Sequence, residues 1–157
     1  MGDNDTAAVF TAFVEEIGPR LKQSLIASLG GEAGREATAD ALTWAWEHWD
    51  RVETLSNPAG YLYRLAHNRT ISAFHRRLRH GFSAAPVYEE PLVEPGLSAA
   101  LGRLSPMQRT VVLLIHGFGW SYREVADHLG VAAGTVQTHA ERAMAKLRKD
   151  LKVETDA

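Results

Sequence analysis

The chain has 157 residues, 45% hydrophobic and 23% charged, enough for one compact domain or two small helical ones and too few for a large enzyme. It has no cysteine, which excludes disulfides, thiolate metal sites and thiol nucleophiles. No run nears the eighteen or so apolar residues of a membrane span, and the start, MGDNDTAAVF, lacks a signal peptide's basic and apolar regions; a soluble, cytoplasmic protein without membrane insertion is expected.

Apolar residues at Phe10, Phe13, Ile17, Leu21, Leu25 and Leu29 step by three or four. This predicts an amphipathic helix over 6–28, kinked or broken at Gly18-Pro19 and ended by Gly30-Gly31. A second helix, from about residue 32 to 50, sets Leu42, Ala45, Trp46 and Trp49 on one stripe with Trp44 beside it, and the three tryptophans point to a packing core. Asn57 caps a third helix that opens at Pro58 and runs through Leu62, Leu65, Ala66 and Phe74 to about Arg79.

Residues 81–97, GFSAAPVYEEPLVEPGL, hold three prolines, three glutamates and two glycines without periodicity, and read as an extended linker. Beyond it, Ser105 with Gln108 and Ser121 with Glu124 each fit a capping box, fixing two helix starts. Gly117 and Gly130 are natural stops. The last helix, about 133–151, turns Val136, Ala140, Ala143 or Met144, Leu147 and Leu151 inward. With no strand alternation and no repeat, the expected fold class is all-α: two small helical domains, 1–80 and 98–157, joined by the Pro/Glu-containing linker 81–97.

Charge is segmented along this plan. The net value is −2, yet residues 1–60 hold four basic and ten acidic side chains, whereas 61–80 hold five arginines and no acid. Such a cationic stretch in an acidic half is a candidate polyanion surface, because phosphate contacts depend on local charge density. It interleaves Arg64, Arg69, Arg76, Arg77 and Arg79 with Tyr61, Tyr63 and Phe74, a mixture suited to stacked single-stranded bases. A solvated helix face with its tyrosines in the core fits the composition equally well.

WSYREVADHLGVAAGTVQTHAERAMAKLRK gives a capped helix, a glycine turn and a second helix with polar positions outward, the grammar of a helix-turn-helix. Val125, Ala126, Leu129, Val131 and Val136 would hold its two helices, leaving Thr135, Gln137, Thr138, His139 and Arg142 to face a major groove. A plain helical hairpin is the alternative.

NPAGYLYRLAHNRTISAFHRRLR resembles the segment of extracytoplasmic-function (ECF) sigma factors that recognises and opens the promoter minus-ten element. LSPMQRTVVLLIHGFGWSYREVADHLGVAAGTVQTHAERAMAKLR resembles their minus-thirty-five-binding domain, and EATADALTWAWEHWDRV the helix that docks on RNA polymerase. The resemblance spans about 8–151. It implies docking positions at Glu36, Ala39 and Asp40, with Ala39 where the family usually has glutamine. It implies minus-ten contacts from Arg64, Asn68, Arg69, Ser72, Arg76 and Arg77, with Ser72 where aspartate is frequent. For the minus-thirty-five element it implies Arg123, Thr135, Gln137, Thr138, His139 and Arg142. Gln137 and His139 stand where basic residues are frequent, Glu141 adds a negative charge, and Ala132 replaces a frequent capping serine.

The partners so implied are bacterial core RNA polymerase, promoter DNA and an anti-sigma factor. The acidic linker, with Glu89, Glu90 and Glu94, would imitate nucleic acid in the polymerase channels or act as a solubilising tether. Two other readings use the same features: a polymerase-independent helix-turn-helix regulator, and a sigma mimic that sequesters an anti-sigma factor. No catalytic residue or cofactor is expected. The group Glu47-His48-Asp50 has no HExxH pattern, and histidines at 48, 67, 75, 80, 116, 128 and 139 show no metal-ligand spacing.

Overall fold

The structure, a computed structural model, describes residues 2–79 and 96–152, without the side chains of Arg77, Leu78 and Ser98. Every regular element among the described residues is helical. The chain divides into two units, Met1–Pro86 and Val87–Ala157. Of the expected linker, all but Gly96 and Leu97 lies outside the described residues.

Helix α1, Asp3–Leu29, begins three residues before the expected start at residue 6. Its first turn has no side-chain cap, and Asp3 and Asp5 there oppose the positive end of the helix dipole. Of the kink or break expected at Gly18-Pro19, the break does not occur: α1 is continuous through Pro19. Gly18 has no Cβ to meet the proline ring, and Pro19 is exposed, so water can satisfy the carbonyl that lost its donor. Gly30, at φ 93°, reverses the chain into α2, Gly31–Glu47.

Small residues govern how α2 packs. Gly34, Ala37, Ala41 and Ala45 form its buried stripe, and a Cβ added at Gly34 would lie 2.5 Å from the Ile26 Cα. The tryptophans therefore do not share one core. Trp49 is buried, Trp44 is half-buried and Trp46 is 47% exposed, held edge-on to Phe10 with ring centroids 5.0 Å apart. The helix also ends earlier than expected, at His48, whose ring stacks on Trp44; a four-residue helix α3, Trp49–Val52, follows.

Helix α4, Pro58–Arg79, matches its expected span, and Asn57 Oδ1 accepts from the Gly60 N–H at 3.0 Å as a cap should. It packs on both α1 and α2. Leu21, Leu25, Val52 and Leu62 are fully buried in this unit. Each such leucine contributes about 1.5–3 kcal/mol.

In the second unit, α5 spans Leu97–Gly102, so Leu97 belongs to a helix rather than to the linker and packs on its core. Helix α6, Pro106–Val112, passes into a π-helical turn, Leu113–Gly117, in which the Phe118 N–H donates to the Leu113 carbonyl at 3.0 Å. The sequence shows only a stop at Gly117; the left-handed residue is Gly119, φ 75°. Helices α7, Tyr122–Leu129, and α8, Ala133–Leu151, meet through Gly130, φ 71° and ψ 36°. Both capping boxes form, with Ser105 and Gln108 exchanging bonds at 3.2 Å, and Ser121 and Glu124 at 3.1 and 2.7 Å. Ala132 leaves α8 without a side-chain cap.

Candidate nucleic-acid interfaces

The first surface follows from the helical period. Arg64, Asn68, Ser72 and Arg76 are four residues apart on α4 and all exposed, with Arg69 beside them. Leu65, Asn68, Arg69, Ser72 and Arg76 line an open groove, and His75 and Arg79 continue it towards the helix end. Arg77 lies on α4, but its side chain is outside the described residues.

The opposite face of α4 buries Leu62, Tyr63 and Ala66. Burial raises the Tyr63 phenol above its ordinary pKa, against the effect of its hydrogen bond with Ser28. Tyr61 is half-buried, 5.8 Å from the Trp44 ring. Among the described side chains the two kinds thus separate: Arg64, Arg69, Arg76 and Arg79 lie in solvent, Tyr63 lies in the core and Tyr61 between them. His67 stacks on Tyr63, and burial holds its imidazole below the ordinary range while a hydrogen bond with Asn68 opposes the shift.

A cleft of about 260 Å³ separates α2 from α4, lined among others by Asp40, Trp44 and Glu47 of α2 and by Arg69 and Thr70 of α4. The Arg69 guanidinium carbon lies 6.0 Å from the centre of the Trp44 ring, at the reach of a cation–π contact. Asp40 and Arg69, implied for different partners, therefore share one cleft. Glu36 and Ala39 are exposed on the same helix.

The second surface is the outer face of α8. Thr135, Gln137, Thr138 and Arg142 are exposed, as is Arg123 at the start of α7. The Gln137 amide nitrogen donates to Glu141 Oε1 at 3.0 Å, and the Thr138 hydroxyl donates to the Gly134 carbonyl at 3.0 Å. His139 differs from its neighbours: it is half-buried, with Nδ1 enclosed and without a hydrogen-bond partner. Beneath this face, Val125, Leu129 and Val136 are buried as expected, and Val131 is half-buried. Among the described residues no group of three or more His, Asp or Glu side chains could hold a metal ion, and no helix is long and apolar enough to cross a membrane.

Residues 96–147, covering α5 and most of α8, match the family model for sigma-70, region 4. The RNA polymerase sigma-E factor of Streptomyces coelicolor is 30% identical over 119 residues, 71% of this chain and 67% of that protein. The ECF RNA polymerase sigma factor EcfG of Rhodopseudomonas palustris is 30% identical over 132 residues, 76% and 73% of the two chains. The chain belongs to the ECF sigma factors. Among solved structures, the sigma factor RpoE from Bartonella quintana, in complex with the anti-sigma factor NepR, has a TM-score of 0.66 at 27% identity, covering 93% of this chain and 98% of that one. CnrH, solved with the cytosolic domain of CnrY, shares the fold at a TM-score of 0.60 and 21% identity.

Three features of this ECF sigma factor escape a reading by motif. Trp120 and His128 are buried against each other, ring centroids 5.1 Å apart, although the sequence offers His128 only as an unmatched ligand. Gly34 is a contact point rather than a flexible link, and its signal is the series of small residues at 34, 37, 41 and 45. Glu141 bonds the side chain one turn before it, a pairing that i, i+4 spacing predicts.

Proposed function

We propose that this ECF sigma factor binds bacterial core RNA polymerase and directs promoter-specific initiation through the minus-ten and minus-thirty-five elements. Residues 1–80 would dock on polymerase through Glu36, Ala39 and Asp40 and hold unpaired minus-ten bases against Arg64, Asn68, Arg69, Ser72, Arg76 and Arg77. Residues 98–157 would lay α8 in the minus-thirty-five major groove, with Arg123, Thr135, Gln137, Thr138, His139 and Arg142 towards DNA. The observation that carries this reading is the exposed stripe Arg64–Asn68–Ser72–Arg76, a polar and cationic face on a helix whose other side is fixed in a core. Unstacking a base costs a few kcal/mol, and phosphate contacts and stacking of about 1–3 kcal/mol per base offset it. Catalysis stays with polymerase, in the cytoplasm, and the chain needs no cofactor.

Residues 81–97 would tether the two units, so that polymerase converts two weak DNA contacts into one bivalent interaction. The complex of the relative RpoE with NepR supports an anti-sigma factor as a further partner. Ala39, exposed at a docking position, favours a second reading in which the chain occupies an anti-sigma factor without activating transcription.

Transcription in vitro with sigma-free core polymerase and a genomic fragment library separates the readings. Discrete starts sharing both upstream elements are expected, and replacing Arg64 and Arg76 by Ala should abolish permanganate reactivity around minus ten. Core binding without transcripts would indicate the mimic. DNA binding without core binding would indicate an independent regulator.

A further inference from the structure

The polar groups on the outer face of α8 differ in what they have left to offer a base. The Thr138 hydroxyl proton is committed to the Gly134 carbonyl, so that oxygen can only accept. Gln137 is committed differently: its Nε2 donates one hydrogen to Glu141 Oε1, 3.0 Å away across one helical turn, with both residues exposed. A glutamine amide otherwise turns readily about its terminal torsion, exchanging the positions of its acceptor and donors. When the Nε2 hydrogen anti to Oε1 makes that bond, Oε1 and the syn hydrogen are left free, one acceptor beside one donor. Adenine presents the complement in the major groove, an amino donor at N6 beside an acceptor at N7. Guanine presents two acceptors there, N7 and O6, so Oε1 would face O6 lone pair to lone pair.

On electrostatics alone Glu141 is unfavourable, because a carboxylate on a DNA-facing helix repels phosphate. Its bond to Gln137 gives it a use. We propose that Glu141 is a positioning residue which, by holding the Gln137 amide in one sense, makes α8 select adenine over guanine at one base pair of the minus-thirty-five element. This rests on the sigma-factor reading above.

The test uses the full chain with core polymerase and a promoter library randomised across the minus-thirty-five element, scored by transcript sequencing. With the wild-type chain, adenine should be favoured at one position, and Gln137→Ala should abolish that preference. Glu141→Ala should lower the adenine-to-guanine ratio there about fivefold or more, the lower range of one bidentate base contact, while raising total yield. Glu141→Gln should keep the preference, because its amide oxygen can accept the same hydrogen. A ratio unchanged in Glu141→Ala, or lost equally in Glu141→Gln, would overturn the inference, since charge alone shifts yield uniformly across sequences. Loss of a cytosine preference in Glu141→Ala would overturn it too, by making Glu141 itself the reader. Core binding by the wild-type chain with no minus-thirty-five enrichment would sink the sigma reading, and the inference with it.

Discussion

The polar stripe of α4 stands on helices that touch backbone to backbone, whereas the outer face of α8 stands on helices fixed by their own ends. In the first unit Gly34 brings α2 against the Ile26 backbone of α1, and α4 packs across both. In the second, Ser105 and Ser121 close capping boxes, and Gly130 supplies a left-handed turn. The units should therefore answer differently to small changes. Added volume in the first has nowhere to go and is transmitted to the α4 face, while a lost cap in the second is felt within one turn.

The same substitution in each unit tests this most sharply. Gly34→Ala gains about 1 kcal/mol of helix propensity. Its Cβ, however, would sit 2.5 Å from the Ile26 Cα and 2.6 Å from the Ile26 nitrogen, atoms that cannot rotate away. The clash costs about 3 kcal/mol or more and wins, so a net loss of about 2 kcal/mol is expected. Hydrogen exchange read by mass spectrometry should show protection lost in peptides from 2–79 and kept in those from 96–152. Wild-type protection in the variant would remove the close approach from the account.

Ser121→Ala comes next. It deletes the acceptor for the Glu124 N–H, and about 1 kcal/mol should be lost. The loss should be concentrated in exchange at the start of α7, and equal loss across 2–79 would contradict the separation of the units. Gly134→Ala should have the opposite sign to Gly34→Ala. An added Cβ meets nothing within 4 Å, and Ala in a helix is favoured over Gly by roughly 0.5–1 kcal/mol, so α8 should gain protection.

What the sequence disclosed divides along the same line. Asn57, Ser105, Ser121, Gly130 and the span of α8 were legible because caps and turns are written within four residues of where they act. Continuity through Pro19, the end of α2 at His48 and the exposure of Trp46 were not. Each depends on a residue's surroundings: the exposure of Pro19, the stack of His48 on Trp44, and the way small residues, rather than tryptophans, took the buried stripe. The four-residue spacing of Arg64, Asn68, Ser72 and Arg76 could be read directly. The withdrawal of Tyr63 to the core was one of two readings the composition left open, and that of His139 partly from the surface could not be read at all, because one helix exposes or hides a side chain according to neighbours distant in sequence.

The smallest effect concerns His67, on the inner side of α4. It stacks on Tyr63 at 5.5 Å, and burial disfavours its imidazolium more than the hydrogen bond with Asn68 favours it. The folded pKa therefore lies below the ordinary value of about 6.5. As pH falls through that value the unfolded chain takes up the proton first, so stability is fullest above about 6.5 and declines on acidification towards the lowered folded pKa. Three of the four tryptophans, Trp44, Trp46 and Trp49, lie in the first unit, so fluorescence reports chiefly on it. Urea midpoints measured this way from about pH 7.5 to 5 should fall less steeply in His67→Gln than in the wild-type chain. Parallel curves would place the acid sensitivity of this unit elsewhere and leave the packing under α4 indifferent to the charge of His67.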